Sequence, residues 1–208
     1  HDLAMTTQVV QKSSNILYLH GFLLYGAVRR YLDDHPELVN PLILETGTAR
    51  GFSALCMAKA LRDSNRAGRI LTVDVLPAES PIYWNCHRDA DGPTTRLELL
   101  SPWQDLIEDY VVFLRGYTSL VLKQMGISRV NFAFLDSGHD YPTLKEEIGY
   151  VADHQKVGDV IVCDDYAVEK YPGIVRAVDE ALDGQTYTGT ILGGLDGRSY
   201  AHCQRVGA

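Results

Sequence analysis

Short apolar runs that end in an acid recur along this chain, each followed by a turn and a helical stretch. Leu42-Ile43-Leu44 ends in Glu45, Ile70-Leu71-Thr72-Val73 in Asp74, Phe132-Ala133-Phe134-Leu135 in Asp136, and Val160-Ile161-Val162-Cys163 in Asp164. Consecutive apolar residues suit a strand buried on both faces, and such strands alternating with helices build a parallel sheet covered on both sides. The reading is therefore an α/β, doubly wound, mostly parallel sheet of about seven strands. The strands are expected over 41–45, 69–74, 110–114, 130–136, 159–164, 187–192 and 199–206. The last two flank Gly193-Gly194-Leu195-Asp196-Gly197, which reads as a C-terminal antiparallel hairpin. Ligands of such sheets sit beyond the carboxyl ends of the strands, where the acids fall.

Helices are predicted over 52–63, 141–154 and 173–182, on both faces of the sheet. An N-terminal helical extension is predicted over about 8–34, from the loose period of Val9, Ile16, Leu17, Phe22, Leu23, Val28 and Tyr31. His1 to Met5 are set aside from the fold. Residues 75–102, with Pro77, Pro81, Gly92 and Pro93, read as one long irregular segment; a loop that long in a compact domain is functional or mobile. No repeat, low-complexity tract or linker divides the chain, so one domain over 1–208 is expected.

Lys and Arg total 19 against 27 Asp and Glu, a net charge of −8. A nucleic-acid binder held by phosphate contacts needs clustered cations, which argues against that class and leaves a small molecule as the expected partner. No run approaches the ~20 apolar residues of a membrane span. No basic region followed by an apolar core marks a signal peptide. Cys56, Cys86, Cys163 and Cys203 form no C-x-x-C pair and read as free thiols of a reducing compartment, so a cytoplasmic location is expected. The apolar N-terminal helix is compatible with a homodimer.

Four strand ends carry the chemistry. Glu45-Thr46-Gly47-Thr48-Ala49-Arg50-Gly51-Phe52-Ser53 joins the first strand to a helix through two glycines four apart. Glycines admit close approach of backbone to ligand, and a helix N-terminus offers free N–H groups. The spacing is not G-x-G-x-x-G, and the acid before the turn suits a ligand bearing an ammonium or sulfonium group. Asp74 can accept hydrogen bonds from both hydroxyls of a ribose. Asp136, Asp164 and Asp165 end adjacent strands. Close carboxylates are costly unless a cation neutralises them, and an all-oxygen set favours Mg²⁺, with Ca²⁺ or Mn²⁺ as alternatives. An imidazole suits general-base work, which makes His139 the candidate base.

Ile43-Leu44-Glu45-Thr46-Gly47-Thr48-Ala49-Arg50-Gly51 together with Leu71-Thr72-Val73-Asp74 resembles the first two motifs of class I S-adenosylmethionine-dependent methyltransferases, which have Rossmann-like sheets. Asp136-x-x-His139-x-Tyr141 and the Asp164-Asp165 pair resemble the metal-dependent small-molecule O-methyltransferases, nearest the macrocin O-methyltransferase and cephalosporin-hydroxylase-like group. Ser137 stands where the commoner family form has glycine. The resemblance implies a cofactor, S-adenosylmethionine, held by Glu45, Gly47, Thr48, Gly51, Ser53, Asp74, Tyr117 and Asp136. It implies a divalent metal on Asp136, Asp164 and Asp165, with His139 and Asp136 as the catalytic pair.

The expected activity is transfer of a methyl group to a hydroxyl of a small molecule whose adjacent oxygens bind the metal. Two other classes are weighed: a nicotinamide-dependent oxidoreductase, opposed by the missing third glycine, and a non-catalytic nucleoside-binding protein. A Mg²⁺ phosphohydrolase lacks its Asp-x-Asp-x-Thr motif after the first strand. Tyr18, His20, Tyr25, Trp84, His87 and Tyr166 could line an acceptor pocket, though each taken singly is better suited to packing or surface than to substrate contact.

Overall fold

The computed structural model describes residues 1–8, 16–193 and 198–207. Five strands run parallel: β1 (Leu42–Thr46), β2 (Arg69–Asp74), β3 (Val111–Arg115), β4 (Phe132–Leu135) and β5 (Val160–Cys163). β6 (Tyr187–Gly193) and β7 (Ser199–Arg205) form an antiparallel hairpin, joined to β5 through β7. The order across the sheet is β3-β2-β1-β4-β5-β7-β6. It is the Rossmann-like, mostly parallel sheet with a C-terminal antiparallel hairpin that the acid-ended runs predict.

The helices are α1 (Asp2–Thr7), α2 (Tyr18–Asp34), α3 (Phe52–Asp63), α4 (Arg96–Leu99), α5 (Gln104–Tyr110), α6 (Thr118–Gln124), α7 (Tyr141–Asp153) and α8 (Pro172–Asp183). Successive residues of a strand point to opposite faces, and β1 shows the result. Ile43 joins one buried core with Leu24, Leu55 and Phe134, on the side of α2, α3 and α5. Leu44 joins the other with Leu135, Leu144 and Val178, on the side of α6, α7 and α8. The same alternation sends Glu45 toward α3 and Thr46 toward α7.

From β1 the chain moves outward through β2 to β3, then crosses back to β4 on the other side of β1. Strand order reverses there, and a crevice opens beyond the carboxyl ends of β1 and β4. Gly47 sits at that reversal with φ +88°; a Cβ on it would lie 2.0 Å from the carbonyl oxygen of Asp136. Only glycine permits so close a crossing.

The N-terminal prediction needs correction. The long helix begins at Tyr18, not Gln8, and Gln8 instead terminates α1. Residues 9–15 of the predicted extension lie outside the described residues, as do 194–197 of the hairpin connection. The set-aside start of the chain is structured: Ala4 and Thr7 of α1 are buried. The 75–102 segment is irregular as read, but it is packed. Ile82 bridges Thr94, and the Trp84 indole N–H donates to the Thr94 carbonyl at 2.8 Å. Thr95 and Glu98 form a reciprocal cap for α4. No helix among the described residues is long and apolar enough to cross a membrane. All four cysteines are free.

Candidate active site

A cleft of about 1020 Å³ opens at the strand reversal. Its two walls are built differently. The first wall is the turn after β1. Gly47, Thr48 and Ser53 line it, with Asp74 from β2 and Tyr117 from the start of α6. The Asp74 carboxylate accepts the N–H of Ala49 at 2.6 Å and of Leu76 at 2.8 Å. It therefore closes the glycine turn against the end of β2 while facing the cleft.

Glu45 and Gly51 stand behind that wall. Glu45 is wholly buried and accepts hydrogen bonds from the hydroxyls of Ser53 and Thr72. Burial pushes its carboxyl up to about 7, against the opposing pull of those two hydroxyls. Its place is structural: it pins the first turn of α3 to β2. Gly51, at φ +88°, caps α3, and a Cβ there would meet Leu100 at 2.7 Å. Its glycine is demanded by packing as well as by the left-handed backbone.

Sequence reasoning missed Arg96 on this side. It is fully buried, donates to the Ala49 carbonyl at 2.8 Å, and lies 3.8 Å from Asp74. Its guanidinium is 5.4 Å from the ring centres of both Trp84 and Phe113. Burial lowers its pKa, opposed by the charge of Asp74. One long side chain thus fastens the 75–102 segment to the glycine turn. The sequence signal was the Thr95-x-x-Glu98 capping pattern, which marks a helix start at Arg96.

The second wall joins the ends of β4 and β5. Asp136, His139 and Asp165 line the cleft, and one donor atom from each falls within 4.8 Å of the others. The His139 Nδ1 is 3.3 Å from an Asp165 oxygen, and its ring stacks on Tyr171 with centres 4.8 Å apart. Asp165 adopts φ +55°, a conformation costly for a non-glycine residue and common where a side chain must be aimed at a site. Burial, then the neighbouring charge of Asp164, pushes the Asp136 carboxyl well above the usual carboxylate range.

Asp164 is not brought into that group. It is buried; Arg198 donates to its Oδ1 at 2.9 Å and forms an ion pair with its Oδ2 at 2.5 Å, and His20 stands 3.8 Å away. Burial raises its pKa and Arg198 opposes the rise. It also accepts the N–H of Asp165 at 2.7 Å, so it supports Asp165 from behind. The physical reason for its displacement from the expected metal set is Arg198, a cation supplied by the residue just before β7. The donor set in the cleft is thus two carboxylates and an imidazole rather than three carboxylates. Its two carboxylates fit a hard divalent cation such as Mg²⁺ or Mn²⁺, with the imidazole standing beside them.

Of the aromatic and histidine candidates for the acceptor pocket, His20 reaches the cleft, packed between Phe52 and Phe134. Trp84 is buried beside Cys86 and Leu99, Tyr25 donates to Asp63 and Tyr166 to Asp179.

With that geometry in view, a family model described as "Methyltransferase domain" matches residues 44–166, more than half the chain. No curated protein matches the sequence. Solved structures share the fold. The O-methyltransferase TomG from Streptomyces achromogenes, involved in tomaymycin synthesis and solved with SAM, superposes with a TM-score of 0.69 at 20% identity, over 99% of this chain and 89% of that one. The O-methyltransferase from Bacillus cereus in complex with SAH gives 0.67 at 19% identity, over 92% of this chain and 83% of that one. The SAH-bound methyltransferase PaMTH1 from Podospora anserina gives 0.59 at 16% identity, over 93% and 80%. Matched from the end of β1 to the end of β5 and built on the Rossmann-like class I sheet, the chain belongs to the methyltransferase-domain family.

Proposed function

We propose that the protein transfers a methyl group from S-adenosylmethionine to a hydroxyl of a small molecule, with a divalent metal holding adjacent oxygens of the acceptor. The observation that carries this reading is the pairing of the two walls. A glycine turn closed by Asp74 faces the same cleft as the Asp136, His139 and Asp165 cluster. SAM- and SAH-bound structures of the same fold support the cofactor. On this reading Asp74 receives the ribose and the Gly47 turn the methionine part.

Methyl transfer to oxygen is an in-line displacement, so the protein must align the acceptor oxygen behind the methyl group and remove its proton. Asp136 and Asp165 would hold the metal, which lowers the pKa of bound hydroxyls and fixes their direction. His139 is the base: Asp165 fixes the direction of its ring through Nδ1, Tyr171 supports one face, and the other nitrogen takes the proton. Holding both partners in the cleft makes the step effectively unimolecular.

The test is ligand-dependent melting followed by an assay. S-adenosylhomocysteine should raise the melting temperature and NAD should not. Labelled methyl transfer from S-adenosylmethionine to a panel of vicinal diols should require Mn²⁺ or Mg²⁺ and stop in EDTA. Stabilisation by NAD alone would overturn the reading. His139→Ala should keep Mn²⁺ affinity within about threefold and lose the acidic limb of the pH–rate profile; a collapse of Mn²⁺ affinity instead would make His139 a ligand rather than the base.

A further inference from the structure

A second buried glutamate lies beneath the cleft, and neither the glycine turn nor the acid cluster accounts for it. Glu147 sits in the middle of α7 and is 2% exposed. The Thr46 hydroxyl, at the end of β1, donates to its Oε2 at 2.9 Å. The Ser137 hydroxyl, two residues past the end of β4, donates to its Oε1. The Thr118 hydroxyl, at the start of α6 after β3, favours the charged form of the same carboxyl. One side chain therefore ties the end of β1 to the loop after β4. Both lead into cleft-lining residues, Gly47 and Gly138.

Burial pushes the Glu147 carboxyl up to about 7, and all three hydroxyls oppose the rise. A buried carboxyl is costly unless its lone pairs are filled, and here they are. Ser137 also finds its explanation. Where the commoner family pattern has glycine, this chain has the hydroxyl that reaches Glu147.

We propose that Glu147 is a positioning residue, whose single carboxyl holds the cofactor turn and the His139 loop at a fixed separation across the β1–β4 crossing. The proposal rests on the methyltransferase reading for its purpose, though not for its geometry. Glu147 acts through Thr46 and Ser137 and touches no reacting atom.

Amide hydrogen exchange and S-adenosylhomocysteine calorimetry on the full chain test it together. The reporters are the amides of Gly47, Asp136 and Val121, which donate to Val73, Thr46 and Tyr117. Glu147→Ala should speed exchange at Gly47 and Asp136 by about tenfold or more, and at Val121 less, and weaken S-adenosylhomocysteine binding by about tenfold, because two hydroxyls lose their acceptor at once. His154, whose amide caps the same helix on Val151, should not change. Glu147→Gln, which keeps an acceptor and the side-chain shape, should restore exchange and binding to within about threefold. Should Glu147→Ala not fold, Ser137→Ala cuts one arm alone and should speed Asp136 while leaving Val121 unchanged. Uniform acceleration that includes His154, or unchanged binding in a loosened Glu147→Ala, would overturn the proposal. Absence of S-adenosylhomocysteine binding in the wild type would remove the cofactor reading instead, and the exchange pattern would still decide the tie between β1 and the β4 loop.

Discussion

The two walls of the cleft both hold carboxylates, and they hold them in opposite ways. On the cofactor wall every acid is answered by donors. Asp74 accepts two backbone N–H groups with Arg96 nearby, and Glu45 accepts two hydroxyls. On the acceptor wall, Asp136, Asp164 and Asp165 crowd one another, and Arg198 with His139 supplies the relief seen there among the described residues. A wall made of satisfied hydrogen bonds is preorganised and needs no ligand to be stable. A wall with surplus negative charge gains stability when a cation arrives. On the proposed reading, cofactor affinity would come from fixed geometry and metal affinity from relieved repulsion.

The largest test joins the walls rather than separating them. Gly47→Ala puts a Cβ 2.0 Å from the Asp136 carbonyl at φ +88°, so the crossing must open. Urea unfolding should show a loss of about 3 kcal/mol or more, with S-adenosylhomocysteine binding lost as well. A loss under ~1 kcal/mol would mean that the crossing is soft and the walls independent.

Titration comes next in size. An acid whose pKa is raised by folding binds its proton more tightly in the native state, so stability falls as pH rises from the unfolded value toward the folded one. Glu45 and Glu147, both pushed up to about 7, place that fall between about pH 4.5 and 7. In EDTA the chain should lose on the order of 2–3 kcal/mol per group across this window, read by urea midpoints at pH 5, 6 and 7.5. Asp136 acts in the same direction. Exposed Glu180, held at about 2 by Lys145 and Tyr141, acts only at far lower pH. Glu45→Gln should flatten its share of the slope; a stability that rises from pH 5 to 7 would contradict both assignments.

The contrast itself is sharpest in a pair of isosteric changes. Asp136→Asn should stabilise the metal-free protein by about 1–2 kcal/mol while weakening Mn²⁺ binding at least ~30-fold, because repulsion and ligation vanish together. Asp74→Asn should do the reverse on stability, costing about 1 kcal/mol through weaker acceptance of the Ala49 and Leu76 N–H groups. It should also weaken S-adenosylhomocysteine about tenfold and leave Mn²⁺ unaffected. Stability changes of the same sign in the two variants would erase the distinction between the walls.

What was legible in the sequence follows from what is local. The strands announce themselves because both faces of the sheet are covered, so β1, β2, β4 and β5 read as unbroken apolar runs. Asp74, Asp136 and Asp165 were placed because strand ends are where such a sheet presents ligands. Asp164 was not separable from Asp165: adjacent acids look alike until Arg198, 34 residues on, claims one of them. Glu147 hid beside Glu146 in a helix whose surface charges are ordinary. Its position three residues after Leu144 and four before Val151, on the buried stripe, was the available signal. The start of α2 was misjudged because apolar residues before Tyr18 continue the helical period without a cap.

The β1–β4 pairing has a kinetic consequence. Leu42 and Asn131, which meet at the entry of those strands, are 89 residues apart. Parallel pairing over such a separation must overcome a large loop-closure entropy before any contact rewards it, and folds rich in it assemble slowly. Until it forms there is no crossing for Gly47, no support behind Asp165, and no cleft to hold either ligand. Nothing that binds the cleft can therefore act as a template for early folding. In stopped-flow refolding, S-adenosylhomocysteine should slow unfolding and leave the folding limb unchanged. The same crossing that makes the enzyme compact in space leaves its newly made chain blind to cofactor until the central strands have met.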